Sequence, residues 1–316
     1  MHAIGTRVGL IGLGTMGGAM ANRLVEAGCF VLGYDVSPES GRAFEAAGGR
    51  LSGRVEDLAG CTDVVIMSVP GPRETEAILL GPDGLLSQMR EGMAVISTST
   101  VSPELMVRVA RAGSDKGIDV LDAPVTGAAD GARSGTLTFM VGADIGALER
   151  WRSVLEPLSS VVVHTGPPGT GSAAKLLTNL LWFTHLIALC DSMAAAAKCG
   201  ISPATMSELL PVSAGASWVA EHDLPNLLGG DDDDSFTLAL CCKDLGLIRN
   251  LSEAADAPLT LVDSVYDRFQ AAARQFGSSA GELAVSRLAE AAAGVSIRTD
   301  NGFPRRQTAP PEGREG

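Results

Sequence analysis

A glycine-rich segment near the start of the chain has the spacing that binds the pyrophosphate of a dinucleotide. It matches G-x-G-x-x-G, follows the apolar run Val8–Ile11 and precedes a helical pattern, which is the context that supports this motif. The glycines allow a tight turn and close approach of phosphate, and the helix start offers unpaired N–H groups. The alternative is a glycine-rich turn without a ligand. The segment consists of Gly12, Leu13, Gly14, Thr15, Met16 and Gly17.

An acidic residue, Asp35, closes the second apolar run, Cys29–Tyr34. A carboxylate at this place accepts hydrogen bonds from the ribose hydroxyls of NAD and repels the 2′-phosphate of NADP. No arginine follows it at once, the nearest being Arg42. The sequence therefore favours NAD over NADP. The alternative is that Asp35 only caps the turn that leads into Ser37.

A lysine and an asparagine four residues apart, Lys175 and Asn179, share one face of a predicted long apolar helix, Ser172–Cys199. A lysine in so apolar a segment is costly unless its ammonium has partners or reaches a wet cleft. Because desolvation lowers the pKa of a lysine, such a group is suited to proton transfer near neutral pH. The alternative is a lysine at a helix start whose stem lies along apolar surface while its ammonium reaches water.

Two further segments carry groups suited to a small acid. The loop 122–128 follows a predicted strand, at the carboxyl end where ligands bind in open α/β sheets, and Thr126 with the N–H groups of this loop could hold a carboxylate. Lys243 is a second lysine in apolar surroundings, within Leu238–Ile248. We do not expect an ion pair between Lys243 and Asp244, because residues i and i+1 of a helix do not face each other.

The elements that must position these residues alternate between strands and helices in the first half of the chain. Short apolar runs predict strands, and amphipathic segments such as 19–27 and 39–47 predict the helices between them. This succession predicts an α/β domain with a doubly wound, mostly parallel sheet. The predicted strands are Val8–Ile11, Cys29–Tyr34, Asp63–Val69, Met93–Ile96, Ile118–Asp122, Leu137–Val141 and Val161–Val163.

The second half predicts an all-α domain. The long helix Ser172–Cys199 is apolar nearly all round, so we expect it to be buried, between the domains or against a second subunit. We expect the run Asp231–Asp234 to form a solvated loop and Ser235 to start the next helix. The predicted domains are 1–166 and 167–295, followed by a disordered tail at 296–316; the further predicted helices are 203–211, 217–228, 236–254, 259–276 and 280–293.

Composition bounds the classes of function. The chain has 316 residues, of which 46% are hydrophobic and 19% charged, and a formal net charge of −13. That length predicts two domains with sizeable cores rather than global disorder. A strongly negative protein repels a phosphate backbone, so we expect no nucleic-acid partner.

The cysteines and the apolar segments indicate in which cellular compartment the protein is expected to lie. The six cysteines form no C-x-x-C pair and no histidine cluster lies beside them, so we expect no metal site and no disulfide framework but buried thiols in a reducing cytoplasm. Residues 1–7 lack the apolar segment of a signal peptide. The apolar stretch 176–190 is shorter than the roughly 20 residues of a membrane span. We therefore expect a cytoplasmic protein without a membrane partner.

Four motifs in order resemble those of the β-hydroxyacid dehydrogenase family, close to 3-hydroxyisobutyrate dehydrogenases and tartronate semialdehyde reductases. The likeness extends from about Val8 to Ala293, nearly the whole chain. It implies a Rossmann domain, then a long interdomain helix and an all-α domain like the C-terminal domain of 6-phosphogluconate dehydrogenase. The motifs are the cofactor loop 8–17, the substrate loop 121–142, the catalytic helix 169–179 and the Lys-Asp-Leu sequence at 243–245.

The resemblance also implies roles for individual residues. It implies that Lys175 is the general acid and base, that Asn179 orients the substrate, and that Thr126 and Gly127 bind the substrate carboxylate. Lys243 then lies near nicotinamide and substrate, and the remaining cofactor contacts are Val69, Pro70 and Ser99. The implied reaction is reversible hydride transfer between a small 3-hydroxy acid and its semialdehyde or keto acid, with NAD preferred or NADP, in a homodimer or homotetramer.

Because the sequence departs from the family pattern at several positions, the motifs do not specify which acid is the substrate. Thr126 stands where the family has serine, Ala128 replaces the second glycine, Thr178 replaces the first asparagine, and Ser97 replaces an aspartate. Trp218 either borders the substrate pocket or packs in the core. Two alternatives are an imine reductase, which usually has Asp or Tyr in place of Lys175, and a catalytically silent NAD-binding protein.

Overall fold

The computed structural model of the protein describes residues 5–299. Contacts divide this part of the chain into two compact units. The first contains the residues up to Thr178 together with Asn250–Asp256, and the second contains Asn179–Arg249 together with the residues from Ala257 onward.

The first unit is built on one sheet. Its strand order is β3-β2-β1-β4-β5-β6-β8-β7, with β9 paired to β8. The strands β1 to β6 are parallel, whereas β8 is antiparallel to β6 and β7 and parallel to β9. The mostly parallel sheet is therefore confirmed. The strands are β1 (Arg7–Ile11), β2 (Phe30–Tyr34), β3 (Arg50–Leu51), β4 (Val64–Met67), β5 (Ala94–Ser97), β6 (Asp119–Asp122), β7 (Val125–Thr126), β8 (Leu137–Gly142) and β9 (Ser159–Gly166).

Helices cover both faces of the sheet, as a doubly wound fold requires. All four residues of β4 are fully buried. The first and third pack in one apolar cluster with Leu24, and the second and fourth pack in another with Met106. The helices that begin in this unit are α1 (Thr15–Glu26), α2 (Pro38–Ala46), α3 (Asp57–Cys61), α4 (Pro72–Leu80), α5 (Leu85–Gln88), α6 (Pro103–Ser114), α7 (Ala128–Ser134), α8 (Ile145–Leu155) and α9 (Thr170–Lys198), with a 3₁₀ turn at Glu156–Leu158.

The long helix α9 confirms the predicted element, but one of its faces is exposed in the single chain. Leu177 and Leu181, one turn apart, are 44% and 58% exposed. Burial of this face against a second subunit, one of the two expected alternatives, therefore stays a prediction. By length and composition only, α9 is also apolar enough to cross a membrane, a test that a core helix of a soluble protein passes as well.

The regular elements among the described residues of the second unit are all helices, apart from an isolated bridge between Thr237 and Gly281. Its interior contains an aromatic cluster in which Trp182 and Phe183 stack at 4.9 Å and Phe183 meets Phe269 edge-on at 5.2 Å. Beyond α9 the helices are α10 (Pro203–Leu209), α11 (Trp218–Gly229), α12 (Leu238–Ala254), α13 (Val262–Phe276) and α14 (Ser286–Ala293), with 3₁₀ turns at Leu210–Val212 and Glu282–Val285.

The acidic run before α12 differs from the expectation of a solvated loop. Asp232 forms ion pairs with Arg287 and Arg298. Ser235 does not start the helix, because its hydroxyl donates to Asp233. Instead Thr237 accepts a hydrogen bond from the N–H of Leu240, so the helix begins two residues later than expected.

Two further expectations need correction. Ile297 is fully buried and the N–H of Thr299 donates to the carbonyl of Leu228, so 296–299 are not part of a disordered tail; residues 300–316 lie outside the described part. The cysteines are free, but Cys61 and Cys199 are exposed rather than buried.

A buried carboxyl in the second unit makes stability depend on pH. Burial raises the pKa of Asp223 from 3.8 to about 6, although the indole N–H of Trp182 donates to it at 3.0 Å. Between pH 4 and 6 the folded chain therefore holds a proton that the unfolded chain has lost, so its stability falls as pH rises through this window. The full difference corresponds to at most about 3 kcal/mol.

We expect Asp223→Asn to raise the free energy of unfolding at pH 7 by about 1–3 kcal/mol, because the amide oxygen still accepts from Trp182 and no charge is buried. Urea unfolding at pH 4.5 and 7 measures this gain, which should be larger at pH 7. Asp267→Asn, at an exposed aspartate of the same unit, is the matched control. Equal or lower stability of Asp223→Asn at pH 7 would contradict the assignment.

Candidate active site

The glycine loop connects β1 to α1 and is shaped for close approach of a ligand. Gly12 has a φ of +89°, and a Cβ there would overlap the carbonyl of Ser68, while a Cβ at Gly17 would overlap the carbonyl of Gly12. Gly14, by contrast, faces open space and precedes α1, for which no side-chain cap is found in the described chain. Helix α1 begins at Thr15, four residues before the predicted start. These residues fit a bound pyrophosphate.

Asp35 is held between this loop and the turn after β2. Its carboxylate accepts from the N–H of Leu13 at 2.5 Å and from the N–H of Ser37 at 2.6 Å. The second bond matches the turn-capping alternative, and the first places the acid against the glycine loop. The carboxylate therefore has one orientation at the carboxyl end of β2.

The ends of β4 and β5 are joined in a similar way. The hydroxyl of Ser99 accepts from the N–H of Val69 at 2.9 Å, and Ser99 is buried while Pro70 is exposed. These predicted cofactor contacts thus lie together at adjacent strand ends. This arrangement follows from the parallel register of the two strands.

A buried aspartate connects the end of β6 to the start of α9. Asp122 accepts from the N–H of Gly169 at 3.1 Å, and from the N–H and hydroxyl of Ser172 at 2.7 and 2.6 Å. Burial is the largest cause that raises its pKa from 3.8 to about 6. The sequence motif contained this residue, but its role was missed because its partners are about 50 residues away.

The loop after Asp122 holds the two residues predicted to bind a carboxylate. Thr126 lies in β7 and is exposed, and Gly127 has a φ of +121°. Ala128 follows with a φ of +52°, a backbone conformation that an alanine adopts at a cost of roughly 1–2 kcal/mol. The other non-glycine residues with positive φ in the described chain are the aspartates Asp233 and Asp256.

Lys175 and Asn179 lie one turn apart on α9, as predicted. Lys175 is half-buried and belongs to the first unit, together with the glycine loop, Asp35, Ser99 and Thr126. Asn179 is buried and belongs to the second unit, as does Lys243. The hydroxyl of Thr178 donates to the carbonyl of Lys175 at 2.9 Å.

Asp244 holds both predicted residues of the second unit. It is buried, accepts from Nδ2 of Asn179 at 2.8 Å, and pairs with Nζ of Lys243 at 2.9 Å. The expectation that Lys243 and Asp244 do not pair is therefore wrong. The four-carbon stem of a lysine can fold back along the helix, so its ammonium reaches a carboxylate that the Cβ positions alone would exclude.

Trp218 does not pack in the core. It is 54% exposed and stacks on His222 with ring centroids 4.3 Å apart. Among residues 5–299 no group of three or more His, Cys, Asp or Glu side chains is placed to hold a metal ion.

Two family descriptions together match nearly all of the chain. The NAD binding domain of 6-phosphogluconate dehydrogenase matches residues 7–166, and the NAD-binding domain of NADP-dependent 3-hydroxyisobutyrate dehydrogenase matches residues 169–289. A 2-(hydroxymethyl)glutarate dehydrogenase from Eubacterium barkeri is 32% identical over 293 residues, which cover 92% of this chain and 97% of that protein. Further relatives at 33% identity are an L-serine, an L-threonate and a 3-hydroxyisobutyrate dehydrogenase.

Solved structures agree with this likeness. A 3-hydroxyisobutyrate dehydrogenase from Salmonella typhimurium superimposes with a TM-score of 0.81 at 29% identity, covering 90% of this chain and 99% of that one. An imine reductase from Myxococcus stipitatus reaches a TM-score of 0.59 at 20% identity over 90% of this chain and 99% of that one, a likeness of fold alone. The chain therefore belongs to the β-hydroxyacid dehydrogenase family and is an NAD(P)-dependent oxidoreductase that acts on the hydroxyl group of a small 3-hydroxy acid.

Proposed function

We propose that Lys175 is the general base and acid of this dehydrogenase. The neutral amine accepts the hydroxyl proton of the 3-hydroxy acid during oxidation, and the ammonium returns it when the semialdehyde or keto acid is reduced. One observation carries this proposal: α9, which bears Lys175, is bonded in its first turn to Asp122, which lies near the start of the substrate loop. The amine and that loop therefore belong to one compact unit.

The substrate is held by its carboxylate and its hydroxyl. The hydroxyl of Thr126 and the N–H of Gly127 donate to the carboxylate, as exposed groups in a loop at the carboxyl edge of the sheet can do. Asn179 orients the substrate hydroxyl, and Lys243 lines the site. The contact with Asp244 supports the role of Asn179. A carboxylate accepts hydrogen bonds, so Asp244 directs Nδ2 of Asn179 toward itself and thereby orients the amide.

NAD is the preferred cofactor and NADP the alternative. When bound, the nicotinamide would supply the acceptor for the hydride of the substrate. The glycine loop Gly12–Gly17 holds the pyrophosphate, and Val69, Pro70 and Ser99 border the cofactor. Asp35 supports the preference, since its fixed carboxylate suits ribose hydroxyls and repels a 2′-phosphate.

The expected homodimer or homotetramer and cytoplasmic location complete the proposal. The exposed pair Leu177 and Leu181 supports an interface, because adjacent apolar side chains on a helix that is otherwise largely apolar are suited to contact with a second copy. We further expect no nucleic-acid and no membrane partner.

Initial rates of NADH formation test the reaction. We expect turnover with at least one acid among 3-hydroxyisobutyrate, L-serine, L-threonate and 2-(hydroxymethyl)glutarate, and a higher kcat/KM with NAD than with NADP. Lys175→Ala should lower kcat by about 100-fold or more, since a positioned proton acceptor contributes roughly 10²–10⁴ in rate. NADH affinity, measured by fluorescence, should change by less than a factor of two.

Lys198→Ala, at an exposed lysine of the same helix, is the control and should keep full activity. Ordinary kcat in Lys175→Ala would refute its role. NADH binding without turnover of any acid in a broad panel would support the silent NAD-binding alternative.

Two glycine substitutions separate cofactor contact from folding. Gly14→Ala has space for its Cβ, so its melting temperature should not change, but the methyl group should obstruct the pyrophosphate and weaken NADH binding by about tenfold, or 1.4 kcal/mol. Gly17→Ala must displace backbone and should lose about 1–3 kcal/mol of folding stability. Unchanged NADH affinity in Gly14→Ala would show that this loop does not hold the pyrophosphate.

Light scattering during gel filtration tests assembly. We expect a mass of two or four times 32.4 kDa. Leu181→Glu should shift this mass toward the monomer at micromolar concentration, because a charge would be desolvated in the interface. Leu261→Glu, at a leucine that is 57% exposed outside α9, is the control. A monomeric wild-type chain would contradict the proposal.

A further inference from the structure

The start of α9 is capped from a distant part of the chain. Helices α6, α10 and α11 are each capped by the serine that directly precedes them. The N–H groups at the start of α9 instead reach Asp122, 47 and 50 residues earlier in the chain. One carboxylate thus connects two segments that lie far apart in sequence, the substrate loop and the helix that carries Lys175.

Packing leaves the first turn of α9 little freedom to shift. Gly171 lies so close to β6 and β8 that a Cβ would overlap the carbonyl of Asp122 and approach that of Met140. Ser172 is fully buried directly after it. Lys175 follows Ser172 by three residues, about one turn and roughly 4.5 Å along the axis. The position of this turn therefore determines where the side chain of Lys175 projects from the helix.

The charge of Asp122 acts at the positive end of the helix dipole. At neutral pH the carboxyl is ionised, since its pKa is raised only to about 6. Its hydrogen bonds come from the N–H of Gly169 and from the N–H and hydroxyl of Ser172. The positive end of a helix disfavours an ammonium in its first turns, and a carboxylate placed there offsets that effect. The ammonium form of Lys175 is therefore favoured by the ionised Asp122.

We propose that Asp122 is a positioning residue for catalysis, whose carboxylate fixes the first turn of α9 and supports Lys175 in its proton-donating form. The proposal rests on the proposed function of Lys175. It predicts that Asp122 affects the chemical step more than the binding of cofactor. If the carboxylate only stabilised the fold, its removal would not change the isotope effect. It would also not change the reactivity of one lysine more than that of the others.

Asp122→Asn tests the kinetic part. The amide nitrogen cannot accept the bonds that one carboxylate oxygen accepts, and the charge is lost. We expect kcat for reduction of the semialdehyde or keto acid, the direction in which Lys175 donates its proton, to fall by about 10- to 100-fold, the effect of a small misplacement of a reacting group. NADH affinity should change by less than twofold. The deuterium isotope effect on kcat for reduction, with NADH labelled at the hydrogen that is transferred, should increase because hydride transfer becomes slower.

Ser172→Ala is a milder variant that keeps the charge and the two backbone bonds. It removes only the hydroxyl donor to the carboxylate and should lower kcat by less than Asp122→Asn. Ser202→Ala removes the local cap of α10 and is the control for the loss of a helix cap; its kcat and isotope effect should match the wild type.

Competitive acetylation with acetic anhydride measures the reactivity of the Lys175 amine and does not require turnover. The chain has four lysines, Lys116, Lys175, Lys198 and Lys243, so mass spectrometry resolves each one. In Asp122→Asn the acetylation rate of Lys175 relative to Lys116 should rise at least threefold, because more of the amine is neutral or accessible. The ratio of Lys198 to Lys116 should stay constant.

The outcomes separate this inference from the proposed function. A selective rise at Lys175 supports the positioning role even if no acid of the panel is oxidised, whereas the proposed function then fails. Unchanged kcat, isotope effect and Lys175 acetylation in Asp122→Asn overturn the inference. A lower melting temperature with all four lysines equally more reactive also overturns it, because Asp122 would then serve folding alone.

Discussion

The parallel register of strands β1 to β6 is the constraint on which the chemistry of the first unit depends. Parallel strands end at one edge of a sheet, so residues that follow different strands are brought together there. Side chains then connect the strand ends. Asp35 connects the end of β2 to the loop after β1, Ser99 connects the ends of β5 and β4, and Asp122 connects the end of β6 to α9.

Much of this arrangement is readable from sequence because its signals are local. The fully buried strand β4 is a run of apolar residues, as expected for a strand covered on both faces. The glycine loop is identified by spacing between two recognisable elements, and Lys175 with Asn179 by helical periodicity. Each of these features depends on residues within a few positions of one another, so hydrogen bonding at long range does not alter the interpretation.

Several of the features that were missed or wrong depend on partners distant in the chain. Asp232 was assigned to a solvated loop, but it pairs with Arg287 and Arg298. Thr237, rather than Ser235, caps α12 because the hydroxyl of Ser235 is used by Asp233. The roles of Asp122 and Asp244 required knowledge of which buried groups face their carboxylates. A charged residue within an apolar strand or helix was the available signal, and it did not identify the partner.

The backbone of Ala128 has a thermodynamic consequence for the substrate loop. An alanine at a φ of +52° costs roughly 1–2 kcal/mol, a factor of roughly 5 to 30 in a conformational equilibrium. Glycine adopts the same backbone conformation without this steric cost. The contacts around the loop must therefore offset a cost that a glycine at the same place would not impose.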